Sequence, residues 1–301
     1  MGEGRDLKQA EETAETAGTL PPELTRFIGY LVRRVHARFA ADQTPGSGHS
    51  RDFVILSVLA EQDVHSQQAL ADRLGINRTI MVSLVDRLER DGYLARARKP
   101  GNRRSYVLSL TAAGRRELAR MRRAVVARDR RLTAALSAGE RERLNHLLRS
   151  LLPEPERVPG VSGTEFLLSQ LHFYLRRRGD NLLSKTGLRM RHYGPLMAIE
   201  KLGPCPQQQL ARYLAINEPA TTALVDELVA AGLVARGQDP ADRRRYALTL
   251  TDLGRERLAT VREVVEGIQT GLAQTLGRSA EAELRSLLCR LATAEEAEPA
   301  Q

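Results

Sequence analysis

Cysteine and long apolar runs are scarce in this sequence. Cys205 and Cys289 are the only cysteines among the 301 residues, which is too few for a disulfide framework, and neither has partners at metal-ligand spacing. We expect both to be small thiols packed near helices rather than redox sensors. No apolar run approaches the roughly 20 residues of a membrane-spanning helix, so we expect no membrane partner.

Targeting and catalytic signals are missing as well. The first twenty residues are polar and acidic and lack the basic and apolar stretches of a secretory signal, so the predicted location is the cytoplasm. The six histidines form no His-Glu-x-x-His motif, no Cys and His metal set and no Ser-His-Asp order that can be placed. We therefore expect no metal, no cofactor and no enzymatic activity.

Positive charge is abundant by contrast. The formal net charge is +9 and the isoelectric point is about 10.0. This balance favours a polyanionic partner, most simply nucleic acid.

A long internal repeat organises the chain. Residues 66–115 align without a gap to residues 206–255, at a constant offset of 140, and about 23 of the 50 paired residues are identical. Two long copies indicate a duplicated domain rather than a solenoid. We predict a polar tail over 1–20, a first domain over 21–152, a linker over 153–163, a second domain over 164–292 and a tail over 293–301.

Each half has the pattern of two helices, a helix-turn-helix, a two-stranded wing and long helices, so the predicted fold class is mainly α with small β wings. Met81, Leu84, Val85 and Leu88 recur at helical spacing after a capping Asn77. The segments "YLARAR" and "SYVLSL" alternate around the turn "KPGN", as two short strands do.

Both halves resemble the MarR family of winged helix-turn-helix transcription factors. The matching stretches are "LADRLGINRT…LVDRLERDGYLARARKPGNRRSYVLSLTAAG" and "LARYLAINEP…LVDELVAAGLVARGQDPADRRRYALTLTDLG". The Asp-x-Arg wing signature is intact at Asp242 and Arg244, whereas Asn102 replaces the aspartate in the first half. Because such proteins usually act as homodimers, the resemblance implies an intramolecular pseudo-dimer with a shared helical bundle near 22–40, 112–151, 164–179 and 252–291. Further self-association of whole chains is left open.

The partner implied by the resemblance is double-stranded DNA, read by an exposed helix face in the major groove and by the wing in the minor groove. The alternative for individual residues is a solvated charged face, and Arg87 could instead pair within its own helix. The predicted DNA-binding residues are Ser66, Asn77, Arg78, Thr79, Ser83, Arg87, Arg103, Arg104, Asn217, Thr221, Thr222, Arg243, Arg244 and Arg245.

The two halves differ in charge. Residues 66–115 contain ten basic and four acidic residues, whereas residues 206–255 contain six of each. Glu218 and Glu227 stand in the second half where Arg78 and Arg87 stand in the first. Acidic groups repel phosphate, so we expect the second half to bind DNA more weakly.

Proteins that resemble this family often bind phenolic or carboxylate ligands between the helical bundle and the winged region. A small aromatic or anionic effector is therefore expected here, with polar surface residues and a half-buried tyrosine as the alternative interpretation. The predicted ligand-binding residues are Arg189, His192, Tyr193, His172, Tyr174, His36 and Arg51.

Three functional interpretations follow. The first is a regulator, in the form of a ligand-relieved repressor, with an asymmetric or near-palindromic operator that the first half leads. In the second, the second half serves mainly dimerisation or ligand sensing. In the third, the scaffold has been redirected to small-molecule binding or catalysis. The arginine-rich stretch from Arg115 to Arg131 either extends the DNA footprint or is a solvated helix face.

Overall fold

The computed structural model describes residues 20–42, 50–61, 66–74, 76–99, 102–154, 157, 163–214, 216–238 and 246–294. The chain divides into two compact units, each of which combines segments from both halves of the repeat. The N-terminal winged unit comprises Ile28–Tyr174 and Thr275–Gln301, and the C-terminal winged unit comprises Met1–Phe27 and Leu175–Gln274. The predicted domain boundaries follow the sequence repeat and stay a prediction.

The order of elements confirms the predicted pattern of helices, helix-turn-helix and wing in both halves. In chain order the elements are α1 (Pro22–Thr25), α2 (Ile28–Ala41), α3 (Ser50–Glu61), α4 (Gln67–Leu74), α5 (Arg78–Arg90), β1 (Leu94–Lys99), β2 (Asn102–Leu110), α6 (Ala112–Leu132), α7 (Ala138–Ser150), α8 (Thr164–Leu182), the 3-10 helix η1 (Met190–His192), α9 (Tyr193–Leu202), α10 (Gln207–Leu214), α11 (Glu218–Ala230), β3 (Val234–Gln238), β4 (Tyr246–Leu250), α12 (Asp252–Leu276) and α13 (Arg278–Thr293). None of the helices in the described ranges combines the length and the apolar character that a bilayer-spanning segment needs.

The core of the N-terminal winged unit lies between α3, the helix-turn-helix and the wing. Met81, Val85 and Leu88 of α5 are buried, which confirms the apolar stripe predicted for this helix. Leu108 and Leu110 of β2 close the same core from the wing. This packing fixes which face of α5 points outward, because residues at i, i+4 and i+7 share one side of a helix.

The first wing is an antiparallel hairpin. Leu94 of β1 lies opposite Leu110 of β2, and Arg98 lies opposite Tyr106. Tyr106 lies on the same strand face as Leu108 and Leu110 by its spacing, but its side chain is 42% exposed. The predicted turn residues Pro100 and Gly101 lie outside the described residues.

Asn77, which the sequence predicts as a cap, and two further residues fix the ends of α5 and α6. The Asn77 side chain accepts a hydrogen bond from the backbone N–H of Thr79 at 2.9 Å, as an N-cap does. Gly92 ends the helix with a positive φ of 74°, a conformation that glycine adopts without strain. Thr111 caps α6, since its hydroxyl oxygen accepts from the backbone N–H of Gly114 at 3.0 Å.

The helical part of the N-terminal winged unit includes a segment from the end of the chain. The guanidinium of Arg38 on α2 donates to the carbonyl oxygen of Leu132 at 3.4 Å and to that of Leu291 at 3.1 Å. Arg128 on α6 donates to the carbonyl of Phe39 at 2.7 Å and pairs with Glu165 on α8 at 2.9 Å. Arginine therefore joins four helices of this unit through their backbone and carboxylate oxygens.

The C-terminal winged unit repeats the same plan. Val234 of β3 lies opposite Leu250 of β4, as Leu94 lies opposite Leu110 in the first wing. Thr251 caps α12 by accepting from the backbone N–H of Gly254 at 2.9 Å. The duplicated segments therefore keep their strand pairing and their caps as well as their helices.

The cysteines are packed as expected, to different degrees. The backbone of Cys205 pairs with Leu248 of β4, with hydrogen bonds of 3.2 and 2.8 Å, which confirms a strand-like entry at this point. Burial raises the pKa of the Cys205 thiol to about 11, so the thiolate that would react with oxidants is disfavoured. Cys289 on α13 is only half-buried, and burial raises its pKa as well.

Candidate nucleic-acid interface

The outer face of α5 carries three of the predicted DNA-binding side chains. Arg78 is exposed at the first residue of α5, and Thr79 and Ser83 are exposed on the side of the helix away from Met81 and Val85. Among the described residues Arg78 has no side-chain hydrogen bond or ion pair, and the Ser83 hydroxyl donates only to the carbonyl of Thr79 at 3.3 Å. These groups lie at the N-terminal end of the second helix of the helix-turn-helix, the end that contacts base edges in such motifs.

Arg87 is held by a partner from another helix. Its guanidinium donates to both carboxylate oxygens of Asp52 on α3, at 2.8 and 2.6 Å, and the Asp52 side chain is only 3% exposed. The hydrogen bond to Asp52 raises the pKa of the Arg87 guanidinium. Arg87 therefore anchors α5 to α3 through a two-point bond to a buried carboxylate and does not pair within its own helix. Its predicted contact with DNA stays a prediction.

The first wing is tied to α5 through Arg96. This arginine of β1 pairs with Asp86 of α5 and with Glu89 at 3.3 Å. Arg103 and Arg104 lie in β2, but their side chains lie outside the described part of the chain. Their predicted contact with the minor groove stays a prediction.

Two further predicted DNA-binding residues, Ser66 and Asn217, act as helix caps. The Ser66 hydroxyl accepts from the backbone N–H of Ala69 at 2.9 Å and so caps α4. Asn217 accepts from the backbone N–H of Ala220 at 2.9 Å and caps α11. Both residues fix the start of a helix in the helix-turn-helix, and Asn217 does so at the position that Asn77 occupies in the first half.

The outer face of α11 differs from that of α5. Glu218 and Pro219 are exposed at its start, where α5 has Arg78 and Thr79. The prediction for Thr221 is wrong, because this residue is 1% exposed and its hydroxyl donates to the carbonyl of Asn217 at 2.9 Å. It occupies the core position that Met81 has in α5.

Thr222 remains on the exposed face of α11. Its hydroxyl donates to the carbonyl of Glu218 at 2.9 Å and accepts from the Gln207 side chain at 2.8 Å. The predicted residues Arg243, Arg244 and Arg245 lie outside the described residues.

Glu227 on α11 is the counterpart of Arg87, and it also has a partner from another element. Its carboxylate accepts from the guanidinium of Arg191 at 2.5 Å and lies 3.0 Å from Nε2 of His192. His192 is offset by 140 positions from Asp52 and Glu227 by the same 140 from Arg87. The two halves therefore keep one helix-to-helix contact with its acidic and basic ends exchanged.

The hydrogen bonds of His192 define its tautomer. Nδ1 accepts from the backbone N–H of Arg189 at 3.2 Å, so in the neutral ring Nε2 carries the proton and donates to Glu227. The hydrogen bond from Arg191 is the largest influence that lowers the pKa of the Glu227 carboxyl, and His192 adds to it. The anchor in the C-terminal winged unit therefore joins a carboxylate to a guanidinium and an imidazole.

Sequence reasoning missed the anchors because their partners lie 35 residues apart. A signal was nevertheless present in the repeat. Position 52 changes from aspartate to histidine, and position 87 changes from arginine to glutamate when the offset of 140 is applied. A simultaneous exchange of this kind indicates two side chains in contact.

The predicted ligand residues of the C-terminal winged unit are mostly occupied by internal contacts. Tyr193 is 8% exposed and its ring meets that of Phe27 edge to face at a centroid distance of 5.8 Å. Burial raises the pKa of the Tyr193 hydroxyl, which shares a hydrogen bond with Arg262. His192 is equally buried in its contact with Glu227, and Arg189 is exposed. Among these residues His192 ends η1 and Tyr193 begins α9.

The predicted ligand residues of the N-terminal winged unit include a stacked histidine pair. The imidazoles of His36 and His172 are 4.5 Å apart between centroids and 17° from parallel. Phe173 lies against His36 at 5.5 Å and is 47% exposed. Burial lowers the pKa of His36, and the carboxylate of Glu165 opposes that effect. Tyr174 is half-buried and Arg51 is exposed on α3.

The arginine-rich stretch of α6 contains two kinds of side chain. Arg128 and Arg131 pair with Asp42 at 3.0 and 2.8 Å, and Arg120 pairs with Glu117 at 2.5 Å. Other arginines of this helix are exposed and form no ion pair within the described part of the chain: Arg115, Arg116, Arg122, Arg123 and Arg130. Three of them border an open groove of about 410 Å³ beside Val126.

Comparison with known proteins gives one family for both halves. Residues 50–106 match one model described as MarR family, and residues 186–245 match a second model with the same description. A protein of Thauera aromatica, named as a transcriptional regulatory protein for the hcr operon, is 36% identical over 137 residues. That match covers 44% of this chain and 82% of the relative. The transcriptional repressor NicR of Pseudomonas putida is 24% identical over 159 residues, or 50% of this chain and 98% of the relative.

Comparison with solved structures gives matches that each cover less than half of this chain. A transcriptional regulator of Pseudomonas aeruginosa has a TM-score of 0.39 and 30% identity, and the match covers 42% of this chain and 94% of that one. CouR of Rhodococcus jostii RHA1, solved with p-coumaroyl-CoA, has a TM-score of 0.38 and 29% identity, with 42% and 90% covered.

Proposed function

The chain belongs to the MarR family of transcription regulators, and from this premise we propose that it is a DNA-binding regulator led by its N-terminal winged unit. The observation that carries the proposal is the outer face of α5, where Arg78, Thr79 and Ser83 are exposed. Arg78 has no ion partner among the described residues, so its charge is available to phosphate or to a guanine edge.

The second recognition helix supports a weaker and different contact. Glu218 replaces Arg78 at the start of α11, where it is exposed. A carboxylate there repels phosphate, although it can accept a hydrogen bond from the amino group of cytosine. Thr222 keeps an exposed hydroxyl on the same face. We propose that the two units read unequal half-sites, so that the operator is asymmetric.

One chain with two winged units takes the place that two subunits have in a dimeric regulator. Supporting this, the compact unit that holds the first wing also includes Thr275–Gln301, from the second half of the repeat. Linking two readers raises the effective concentration of the second one after the first has bound. We propose that the single chain engages both half-sites as an intramolecular pseudo-dimer.

We also propose that the regulator responds to a small molecule. The relative NicR is named a repressor, and repression that is relieved by an effector is the form of regulation we propose here. The described residues that suit an aromatic or anionic effector best are His36, His172 and Phe173, because the stacked imidazoles lie beside an exposed aromatic ring.

A binding experiment with the full chain tests the proposal. Duplexes are selected from a random pool, and affinity for the selected duplex is measured by fluorescence anisotropy across salt concentrations. We expect Arg78→Ala to weaken binding about tenfold and to reduce the salt slope by about one. Arg278→Ala is the matched control, because Arg278 is also exposed but begins α13, outside the recognition helices. Selection that enriches no duplex, or equal effects of the two substitutions, would contradict the proposal.

A further inference from the structure

The recognition helix of the N-terminal winged unit exposes two branched apolar side chains. Ile80 is 41% exposed and Val82 is 38% exposed. A single exposed apolar residue is ordinary on a protein surface. These two lie within one turn of α5, two and four residues after Arg78, and are next to the exposed Thr79 and Ser83. The surface that would enter the major groove therefore mixes one cation, two hydroxyls and two alkyl groups.

The second copy of the helix lacks this apolar pair. Ala220 and Thr222 occupy the corresponding positions of α11, and the Thr222 hydroxyl is bonded both to Glu218 and to Gln207. The core positions of the two helices are nevertheless alike in depth, since Val85 and Val225 are both fully buried. The outward faces of the two helices therefore differ in the groups that they offer for recognition.

The C5-methyl group of thymine is the apolar feature that a base pair presents in the major groove, and apolar side chains contact it. We infer that Ile80 and Val82 are specificity-determining residues that pack on thymine methyl groups in the half-site read by α5. This inference rests on the proposed DNA binding and names what that binding selects. It also predicts that the half-site read by α11 has no such requirement.

Replacing thymine by deoxyuridine tests the inference directly, because it removes the methyl group and leaves the hydrogen-bonding edge unchanged. Each thymine of the selected duplex is replaced in turn, and the affinity of the full chain is measured. At the positions that face Ile80 or Val82 we expect a loss of about fourfold per methyl group, which corresponds to about 0.8 kcal/mol. At thymines elsewhere we expect changes within about twofold.

Variants separate a side-chain contact from an effect of uracil on the DNA itself. Ile80→Ala and Val82→Ala should each abolish the uracil penalty at one position, so that both duplexes bind within about twofold of each other. Val126→Ala is the matched control, because Val126 is 43% exposed on α6 and lies outside the recognition helix. It should leave the penalty unchanged. All three side chains are exposed, so the melting temperature should change little.

The outcomes distinguish a failure of the thymine-methyl contact from a failure of DNA binding itself. A selected duplex that tolerates uracil at every position, or a penalty that persists in both alanine variants, would overturn the inference and leave the proposed function standing. A selection that enriches no duplex would remove both. The inference is supported if Ile80→Ala or Val82→Ala abolishes the uracil penalty while Val126→Ala retains it.

Discussion

The two recognition helices keep the same anchor with opposite charges. Arg87 of α5 bonds to a buried Asp52, whereas Glu227 of α11 bonds to Arg191 and to a buried His192. The exchange at this position accounts for two of the six charge units that separate the repeats. That part of the charge difference concerns how the helix is held, and it does not indicate a loss of DNA contacts.

The outward faces of the two recognition helices also differ. Arg78, Ile80 and Val82 of α5 correspond to Glu218, Ala220 and Thr222 of α11, and all six residues are exposed. Caps and helix ends are the same in both copies, as Asn77 and Asn217 show. Duplication has thus preserved the scaffold that positions each helix while the side chains available to a ligand have changed.

The largest expected effect comes from breaking the anchor in one half. Arg87→Glu places a second carboxylate against Asp52, whose side chain is 3% exposed. We expect the free energy of unfolding to fall by about 3–5 kcal/mol, since an uncompensated buried charge is left behind. The measurement is urea denaturation of the full chain.

The double variant Asp52→His/Arg87→Glu transplants the arrangement of the second half and sharpens the comparison. It should recover at least about half of the loss, because the imidazole can donate to the new carboxylate. A double variant as unstable as Arg87→Glu alone would show that the two anchors are not interchangeable.

Local signals allowed much of this architecture to be predicted. The apolar spacing of Met81, Val85 and Leu88 sets the phase of α5, and Asn77, Gly92 and Thr111 mark helix ends through backbone chemistry that involves only near neighbours. The resemblance between the repeats then extended the assignment to the second half.

Predictions failed where a position is decided by packing between distant segments. Thr221 was predicted to bind DNA, but the helix phase set by Val225 and Leu228 places it in the core. The alternative for Arg87 was an ion pair within its own helix, but the packing of α3 brings Asp52 to it as the partner. The side chains of Tyr193 and His192, which were predicted to bind a ligand, likewise contact internal partners that residue type alone does not reveal.

A smaller effect should follow from returning one outward position of the second half to the chemistry of the first. Glu218→Arg removes a carboxylate from the start of α11 and adds a cation where α5 has Arg78. We expect about tenfold tighter DNA binding and a salt slope steeper by about one. Anisotropy titration on the selected duplex measures both.

Glu256→Arg makes the same change of charge at an exposed position of α12 and is the matched control. If it tightens binding as much as Glu218→Arg, the gain reflects net charge and the second helix does not approach DNA. A gain confined to Glu218→Arg indicates that both helices contact the operator.

The smallest expected effect is a pH dependence of the second anchor. The hydrogen bond from Arg191 holds the pKa of Glu227 below its ordinary value of 4.5. A carboxyl whose pKa is lower in the folded chain than in the unfolded chain stabilises the fold above the unfolded pKa, and this contribution is lost as the pH falls through the folded pKa. We expect Glu227→Gln to reduce the free energy of unfolding by less than about 1 kcal/mol near pH 7, because the side chain is 36% exposed.

The difference between Glu227→Gln and the unchanged chain should shrink as the pH is lowered from about 6 towards 3, as urea denaturation at each pH would show. Glu256→Gln removes an exposed carboxylate that has no ion pair among the described residues, and its difference from the unchanged chain should stay near zero. A Glu227→Gln difference that is constant with pH would mean that the carboxylate contributes no charge interaction there. The anchor would then depend on packing alone, and the charge exchange between the two halves would have no energetic consequence in the second.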